Sequence, residues 1–456
     1  MSFTDFDFIF RFLPAFLILY YLAPAMARIY VLIVGSVFFY AMADLRFIPV
    51  LLFLSLWNYL IGKGAANGEK TVLALGVAAD VISLAAARSL AAGLPGFALP
   101  LGISFYTFRM ISYCFDSYRG KIPKETTFTQ ALAYFCLFPQ ILSGPIMRYG
   151  DFAKISAFTA PSETKPLKTR IADILVRVEN GLTWFIFGLA AKVLLADHLR
   201  SLWNTLGGIG YESLSVPLAW LGALTYSMEL YYDFWGYSMM AAGVGIMIGL
   251  PMIVNFDQPY ASDSVGTFYR RWHMTLGTFF RDYVYIPLGG SRGGWLKTVR
   301  NLAFVWLLTG IWHGVNFGYL LWAASVLYMI LVERALRERN SRIAAVVGRI
   351  HVLLGIPLTW VMFAVGDLER IGAYFLRLFP IVPTQGVVFA GDFAKYTSQY
   401  GIYLLFSLVF LLPCVYHCYV RFRRSVPVTV ILSGLFVLSL ISMARAGNNP
   451  FLYLQF

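Results

Sequence analysis

Two histidines pose the chemical question in this sequence. His313 lies in Thr309-Gly310-Ile311-Trp312-His313-Gly314-Val315-Asn316-Phe317, between two strongly apolar runs. An ionisable side chain in such surroundings is costly and is a functional candidate by default, although a histidine bonded between two helices would leave the same pattern. Inside an apolar tunnel an imidazole stays neutral, which keeps it available as a general base. Gly310 and Gly314 flank it and would leave room for a substrate to reach the ring. His273 closes the run Arg270-Arg271-Trp272-His273, in a stretch from 255 to 300 too charged for a membrane span and too aromatic for a linker. Ser262 to Phe280 can be written as one amphipathic helix, with Phe268, Trp272, Leu276 and Phe279 on one stripe and Arg270, Arg271 and His273 beside it. Such a helix lies at a membrane interface or dips into the protein, and a basic anchor with its tryptophan at the headgroups is the plainer alternative.

The other groups are weaker candidates. His198, His351 and His417 sit at the ends of apolar runs, as boundary residues do. Glu229 and Asp233 are four apart on one helical face, expensive in a membrane unless they meet a polar cavity or cations such as Arg270, Arg271 or Arg281. Phe138-Pro139-Gln140-Ile141-Leu142-Ser143-Gly144-Pro145 would break a helix and fits a cavity wall better than a lipid-facing surface. The Gly289–Gly294 turn lacks the Lys-Ser/Thr of a phosphate loop. No HExxH, paired histidine ligands or carboxylate cluster suggests a metal. Cys114, Cys136, Cys414 and Cys418 lie in or beside apolar stretches, which argues against disulfides and zinc.

The elements that must position these groups follow from composition. Of 456 residues, 59% are hydrophobic and 13% charged, and the mean hydropathy is +0.69. A soluble domain carries about 25% charged residues, so this chain is an integral membrane protein. At about 20 residues per helix, its apolar runs predict an all-α bundle of about ten to thirteen crossings. Those near 29–43, 299–312 and 371–383 are too short to cross alone and are expected to be tilted, re-entrant or buried. The net charge of +13 reads as cytoplasmic loop lysine and arginine, not as nucleic-acid binding. Arg421, Arg423 and Arg424 before the last span place the C-terminus outside, and Asp5 and Asp7 followed by Arg28 place the N-terminus outside too. Those aspartates also argue against a signal peptide. The chain reads as one membrane domain over 1–456, with 255–317 carrying the chemistry and 444–456 an extracytoplasmic tail. The lack of internal repeats weighs against a repeat-built transporter.

The ordered motifs YYDFWGYS (231–238), NFDQPY (255–260), RRWHMTLGTFFRDYVYIPLGGSR (270–292) and TGIWHGVNF (309–317) resemble the membrane-bound O-acyltransferase family. Within it they are most similar to the bacterial branch of alginate O-acetyltransferase membrane subunits. FRFLPAFLILYYL (10–22), LPLGISFYTFRMISYCFDSYRG (99–120) and FPQILSGPIMR (138–148) are similar to that branch as well, in register over most of residues 1–370. The resemblance implies a multi-pass acyltransferase of the bacterial inner membrane, with re-entrant or interfacial helices around a through-membrane tunnel. It implies acetyl-CoA as the cytoplasmic acyl donor and no bound cofactor. It also implies a periplasmic SGNH-type acetyltransferase partner, a polysaccharide synthase and export complex, and an alginate- or cellulose-type acceptor. His313 falls on the family's invariant intramembrane histidine, the expected catalytic residue, and His273 on the branch's second histidine, with a supporting or donor-side role. Arg270, Arg271, Trp272, Arg281, Asp233, Asn316 and Trp312 are expected to bind donor or line the tunnel. Trp235 and Met239 stand where the branch more often has a small residue and an aspartate, departures that bear on the acceptor. The ending Phe451-Leu452-Tyr453-Leu454-Gln455-Phe456 is similar to a Phe-aliphatic-Tyr-Phe-x-Phe motif whose tyrosine is proposed to carry the acyl group, which would make Tyr453 a third catalytic residue. A terminal aromatic anchor is the alternative for Tyr453. For the whole chain the alternatives are D-alanyl transfer to teichoic acid, a transporter, and a scaffold without its own chemistry.

Overall fold

The computed structural model describes residues 1–94, 96–155, 166–314, 316–381, 386–423 and 425–446, and among these every regular element is helical. Among the described residues, six helical runs are long and apolar enough to cross a bilayer: Ala25–Ala65, Lys70–Ala91, Leu167–Ile209, Phe317–Arg339, Ser341–Val365 and Val426–Arg445. A seventh forms if Asp392–Phe410 and Pro413–Phe422, bent by 72° at the break before Pro413, count as one span. Length and apolar composition single out fewer helices than the ten to thirteen crossings expected from apolar runs, because a crossing helix covered by protein need not be apolar. The physical reason lies in helices that other helices cover. Val216–Met247 is 32 residues long but carries Glu229, Asp233 and a row of tyrosines, and nearly every side chain from Thr225 to Gly245 is buried in protein. Such a helix needs no uniformly apolar composition. Val426–Arg445 is the opposite case, the most apolar of the six and the least buried, as a lipid-facing helix must be.

The chain resolves into two compact units. The first comprises Met1–Gly188 and Tyr237–Val254 of the described residues, the second Leu189–Gly236 and Asn255 onward. In the first, Phe3, Phe8, Phe39 and Phe138 form an aromatic core. Gly181 and Gly243 meet backbone to backbone, and a Cβ on either would strike the other's carbonyl oxygen, the small-residue contact that lets membrane helices approach closely. Arg109 is fully buried and donates to the carbonyls of Tyr134 (3.0 Å) and Phe135 (2.7 Å). It thereby satisfies the last turn of the Phe128–Phe135 helix, whose start is closed by a Thr127–Gln130 capping box. The 138–145 segment expected at a cavity wall forms a short helix, Phe138–Ile141, followed by irregular chain, and all of it is buried in this unit.

In the second unit the helices Trp295–His313 and Phe317–Arg339 pack as a hairpin, the first ending at His313 and the second capped by Asn316. Against it packs the run Ser341–Ile350, His351–Gly355 and Ile356–Val365, continuous through a π-helical turn.

Candidate functional site

His313 is the last residue of its helix. The chain cannot continue helically because Gly314 adopts φ 151°, open only to glycine, and Asn316 Oδ1 accepts the Gly318 N–H at 2.8 Å to cap the next helix. The imidazole is buried (6% exposed) among four rings: Trp312 at 4.4 Å, Phe363 at 4.8 Å, Trp322 at 5.2 Å and Tyr319 at 5.9 Å between centroids. The two glycines do not open the space expected of them. A Cβ at Gly310 would lie 3.2 Å from Ala323 Cβ, and one at Gly314 would lie 2.9 Å from the Tyr319 ring. Both serve close packing of the hairpin, so any route to the ring passes elsewhere.

His273 occupies a different kind of turn. The amphipathic helix expected over 262–280 is two short helices, Val265–Arg271 and Met274–Phe280, with Trp272 and His273 between them. His273 is one of two described non-glycine residues in the left-handed region, at φ 45°. Asn255 accounts for the break. Its carbonyl accepts the Met274 N–H at 2.9 Å. Its Oδ1 accepts the Thr275 N–H at 3.2 Å and the Thr275 hydroxyl at 2.9 Å, and lies 3.1 Å from His273 Nδ1. A backbone N–H can only donate, so the atom facing Thr275 is the amide oxygen, and His273 Nδ1 must carry a proton to bond it. Nε2 is then the basic nitrogen of the ring. Burial pulls the His273 pKa down from 6.5 to about 3, so the ring is neutral at physiological pH and a weak proton acceptor.

The stripe survives the break: Phe268, Trp272, Leu276 and Phe279 are all buried. Trp272 packs on Phe268 (5.5 Å), Phe256 (5.1 Å) and Trp360 (5.1 Å), inside the protein and not at a headgroup interface. The ring contacts run on without interruption from one histidine to the other. His273 meets Phe234 at 4.6 Å and Phe234 meets Phe256 at 5.1 Å; Trp360 meets Trp322 at 5.6 Å, and Trp322 meets His313. Each such pair adds about 0.5–1.5 kcal/mol beyond its burial, which fixes both imidazoles to one rigid wall.

Asp233 and Glu229 find different partners from the arginines the sequence offers. Lys192 Nζ lies 3.0 Å from Asp233 Oδ1 and also contacts Asp197; Arg200 reaches Glu229 at 3.0 Å and Asp233 at 3.4 Å. Lys192 lies in a π-helical turn, Ala191–Ala196, that Asp197 follows, and its extra residue per turn rephases the helix at this cluster. The pairs hold the helix that presents Phe234 to His273. Neither Lys192 and Arg200 nor Asn255 was singled out by sequence reasoning. A lysine inside Leu189-Ala190-Ala191-Lys192-Val193-Leu194 was the available signal for the cluster, whereas Asn255, the first residue of NFDQPY, acts across 18 residues, so nothing local marks its role.

The remaining expected groups are dispersed over the unit. Arg270 is exposed and donates to Thr267 Oγ1 at 2.7 Å; Arg281 is exposed and pairs with Asp282 at 2.8 Å. Arg271 is half-buried and its carbonyl accepts the Asp257 N–H. Trp312 is half-buried against His313, and Asn316 is an exposed cap. Of the boundary histidines, His198 stacks on Tyr403 at 4.1 Å, His351 pairs with Glu333 at 2.9 Å, and His417 bonds the Pro413 carbonyl at 2.6 Å. Tyr453 lies outside the described residues.

Residues 121–376, which include both histidines, Asn255 and the ion cluster, match the model of the membrane-bound O-acyltransferase family. The chain belongs to that family. It is similar to the probable alginate O-acetylase AlgI of Pseudomonas fluorescens, at 38% identity over 83% of this chain and 76% of the relative. The peptidoglycan O-acetyltransferase of Helicobacter pylori is 29% identical over 79% of this chain and 76% of its own length. The teichoic acid D-alanyltransferase of Bacillus subtilis is 31% identical over 49% and 55%. With its apolar helices, the protein is a multi-pass membrane acyltransferase.

Proposed function

We propose that this acyltransferase moves an acetyl group from cytoplasmic acetyl-CoA across the bacterial inner membrane for O-acetylation of an exported polysaccharide of the alginate or cellulose type. The observation that carries the reading is His313, a buried imidazole at a helix turn walled by four rings, in a chain similar to O-acetylases over most of its length. His313 takes the proton of an acceptor hydroxyl as its oxygen attacks the thioester carbonyl. The new C–O bond forms, the C–S bond breaks, and the proton passes to the departing thiolate of coenzyme A. His273, neutral and oriented by Asn255, acts at a distance as a positioning group, joined to His313 through the continuous run of ring contacts. Exposed Arg270 and Arg281, with Arg271, meet the anionic part of the donor. Tyr453 is the first acceptor hydroxyl. It carries the acetyl ester to a periplasmic SGNH-type partner associated with the polysaccharide synthase and export complex, with both chain termini on the periplasmic side.

His313→Ala tests the assignment. Polymer acetylation should vanish while the protein still accumulates in the membrane, and normal acetylation in that variant overturns it. Tyr453→Phe with undiminished acetylation removes the carrier step alone. Supplying acetyl-CoA or a D-alanyl carrier protein to the purified chain separates acetyl transfer from D-alanyl transfer.

A further inference from the structure

We propose that Glu333 is a positioning residue for the turn that carries His273, acting from a spanning helix on the backbone of residues 261–265. Glu333 lies in the last turns of Phe317–Arg339 and is 5% exposed. An acid buried on such a helix is costly unless polar groups meet it. The Val265 N–H does so, 3.1 Å from Oε1 and 3.0 Å from Oε2, and His351 Nδ1 lies 2.9 Å from Oε1. Val265 opens the helix that runs to Arg271, and the first backbone N–H groups of a helix have no partner within it. Ser264 Oγ accepts the third of them, from Thr267 at 3.3 Å, and Glu333 accepts the first.

The same stretch is gripped from the following span. Arg349 Nη1 donates to the carbonyls of Ala261 (3.1 Å) and Ser262 (2.8 Å). A Cβ at Gly348 would come 2.3 Å from the Asp263 carbonyl oxygen and 3.1 Å from Ser264 Cα, so the helix backbone itself touches this chain. Residues 261–265 are thus fixed by Glu333 on one spanning helix and by Gly348 and Arg349 on the next. Where the excursion returns, the Met274 N–H meets the Asn255 carbonyl at 2.9 Å and the Asp257 N–H meets the Arg271 carbonyl at 3.0 Å. The chain from 255 to 274 is a closed loop, held at its neck by Asn255 and at its tip by Glu333.

Between tip and neck stands Val265–Arg271, about 10 Å of helix, with Val265 and Phe268 fully buried. The Trp272 N–H donates to the Phe268 carbonyl at 2.8 Å, so the residue before His273 is still tied to this helix. A helix this short moves as one piece, and a grip on its first N–H sets where its last turn delivers the ring. A shift of about 1 Å far from the chemistry can cost about 10²-fold in rate. Asn255 fixes the tautomer and the backbone reversal, and Glu333 fixes the place of the helix that leads to them. The kinetic consequence rests on the reaction proposed above, whereas the order of the loop does not.

Val265→Pro tests the contact from the donor side. It removes the backbone N–H that Glu333 accepts, at a first helical position where proline is favoured, and Ser264, at φ −159° and ψ 153°, already has the extended backbone a following proline requires. Glu333→Leu removes the acceptor, and Glu333→Gln keeps an oxygen in its place. In the purified full chain, Val265→Pro and Glu333→Leu should each lower kcat for acetyl transfer at least about tenfold with the KM for acetyl-CoA unchanged, and Glu333→Gln should recover most of the loss. The double variant should be no worse than either single one, because both break one contact. Amide exchange read by mass spectrometry should rise in both single variants over residues 255–274 and stay native over Lys70–Gly93. Native kcat in Val265→Pro, additive losses in the double variant, or no recovery with Glu333→Gln overturns the proposal. Should Glu333→Leu fail to accumulate, Val265→Pro against the native chain decides alone. A native chain that transfers no acetyl group fails the proposed reaction instead, and exchange over 255–274 still decides whether Glu333 holds the loop.

Discussion

The turn that carries His313 and the turn that carries His273 both interrupt a helical run, yet different forces build them. Around His313 the enclosure is aromatic: four rings fix the imidazole by shape, and glycine at 314 ends the helix. Around His273 the work is done by hydrogen bonds, with Asn255 holding one helix end, one backbone reversal and one tautomer. A hydrogen-bonded and desolvated histidine is set in one state. In the reaction proposed above, His313 is the group that moves the proton and His273 the group that holds position.

The sharpest break of this comparison is His313→Ala against His273→Asn. Asparagine tolerates the left-handed backbone at 273, so the second substitution tests the ring and not the turn. Loss of the general base should reduce acetyl transfer at least about 10²-fold, while loss of the positioning group should cost less. A larger loss at His273 would reverse the roles.

Next in size is the ion cluster behind the His273 turn. Lys192→Met leaves buried Asp233 with Arg200 alone and takes the cation from half-buried Asp197, and should destabilise the protein by up to about 3 kcal/mol, read as a lowered unfolding temperature in detergent. Adding Asp233→Leu should restore part of the loss. If the single variant is as stable as the native chain, the cluster does not hold the Phe234 helix.

How much of this was legible follows from the range of each interaction. The membrane class, the helical fold and the buried stripe Phe268, Trp272, Leu276 and Phe279 come from composition and spacing, which are local properties. The break at Trp272–His273 does not, because it is imposed by an asparagine 18 residues away and by a φ that histidine rarely adopts. The same holds for Glu229 and Asp233. Their cost was visible from their own helix, but their cations lie on another run, and Arg270, Arg271 and Arg281 offered an equally plausible pairing. Glycine was misread for a related reason: beside His313 a missing side chain meant a close helix, not an open path.

The pH dependence of stability sharpens the contrast at about 2 kcal/mol. His273 has a folded pKa of about 3 against 6.5 unfolded, so between these values the unfolded chain binds more protons and stability falls as pH falls. At pH 5 that amounts to about 2 kcal/mol relative to neutral pH. His273→Asn should flatten the slope between pH 7 and 5. An unchanged slope would mean that His273 does not titrate on unfolding as its burial requires.

The smallest effect belongs to the exposed cations. Arg270 and Arg281 flank the His273 turn but lie in solvent, where a charge–charge contact contributes about 0.2–1 kcal/mol. Arg270→Ala and Arg281→Ala should therefore each raise the KM for acetyl-CoA only a few-fold and leave kcat in place, because an interaction made equally in the bound and transition states changes binding alone. Salt gives the discriminating measurement. With a screening length of about 8 Å at 0.15 M falling to about 3 Å at 1 M, the native KM should rise with ionic strength and converge on that of the variants. A fall in kcat would instead move these arginines into the reacting geometry and join them to His273 as positioning groups.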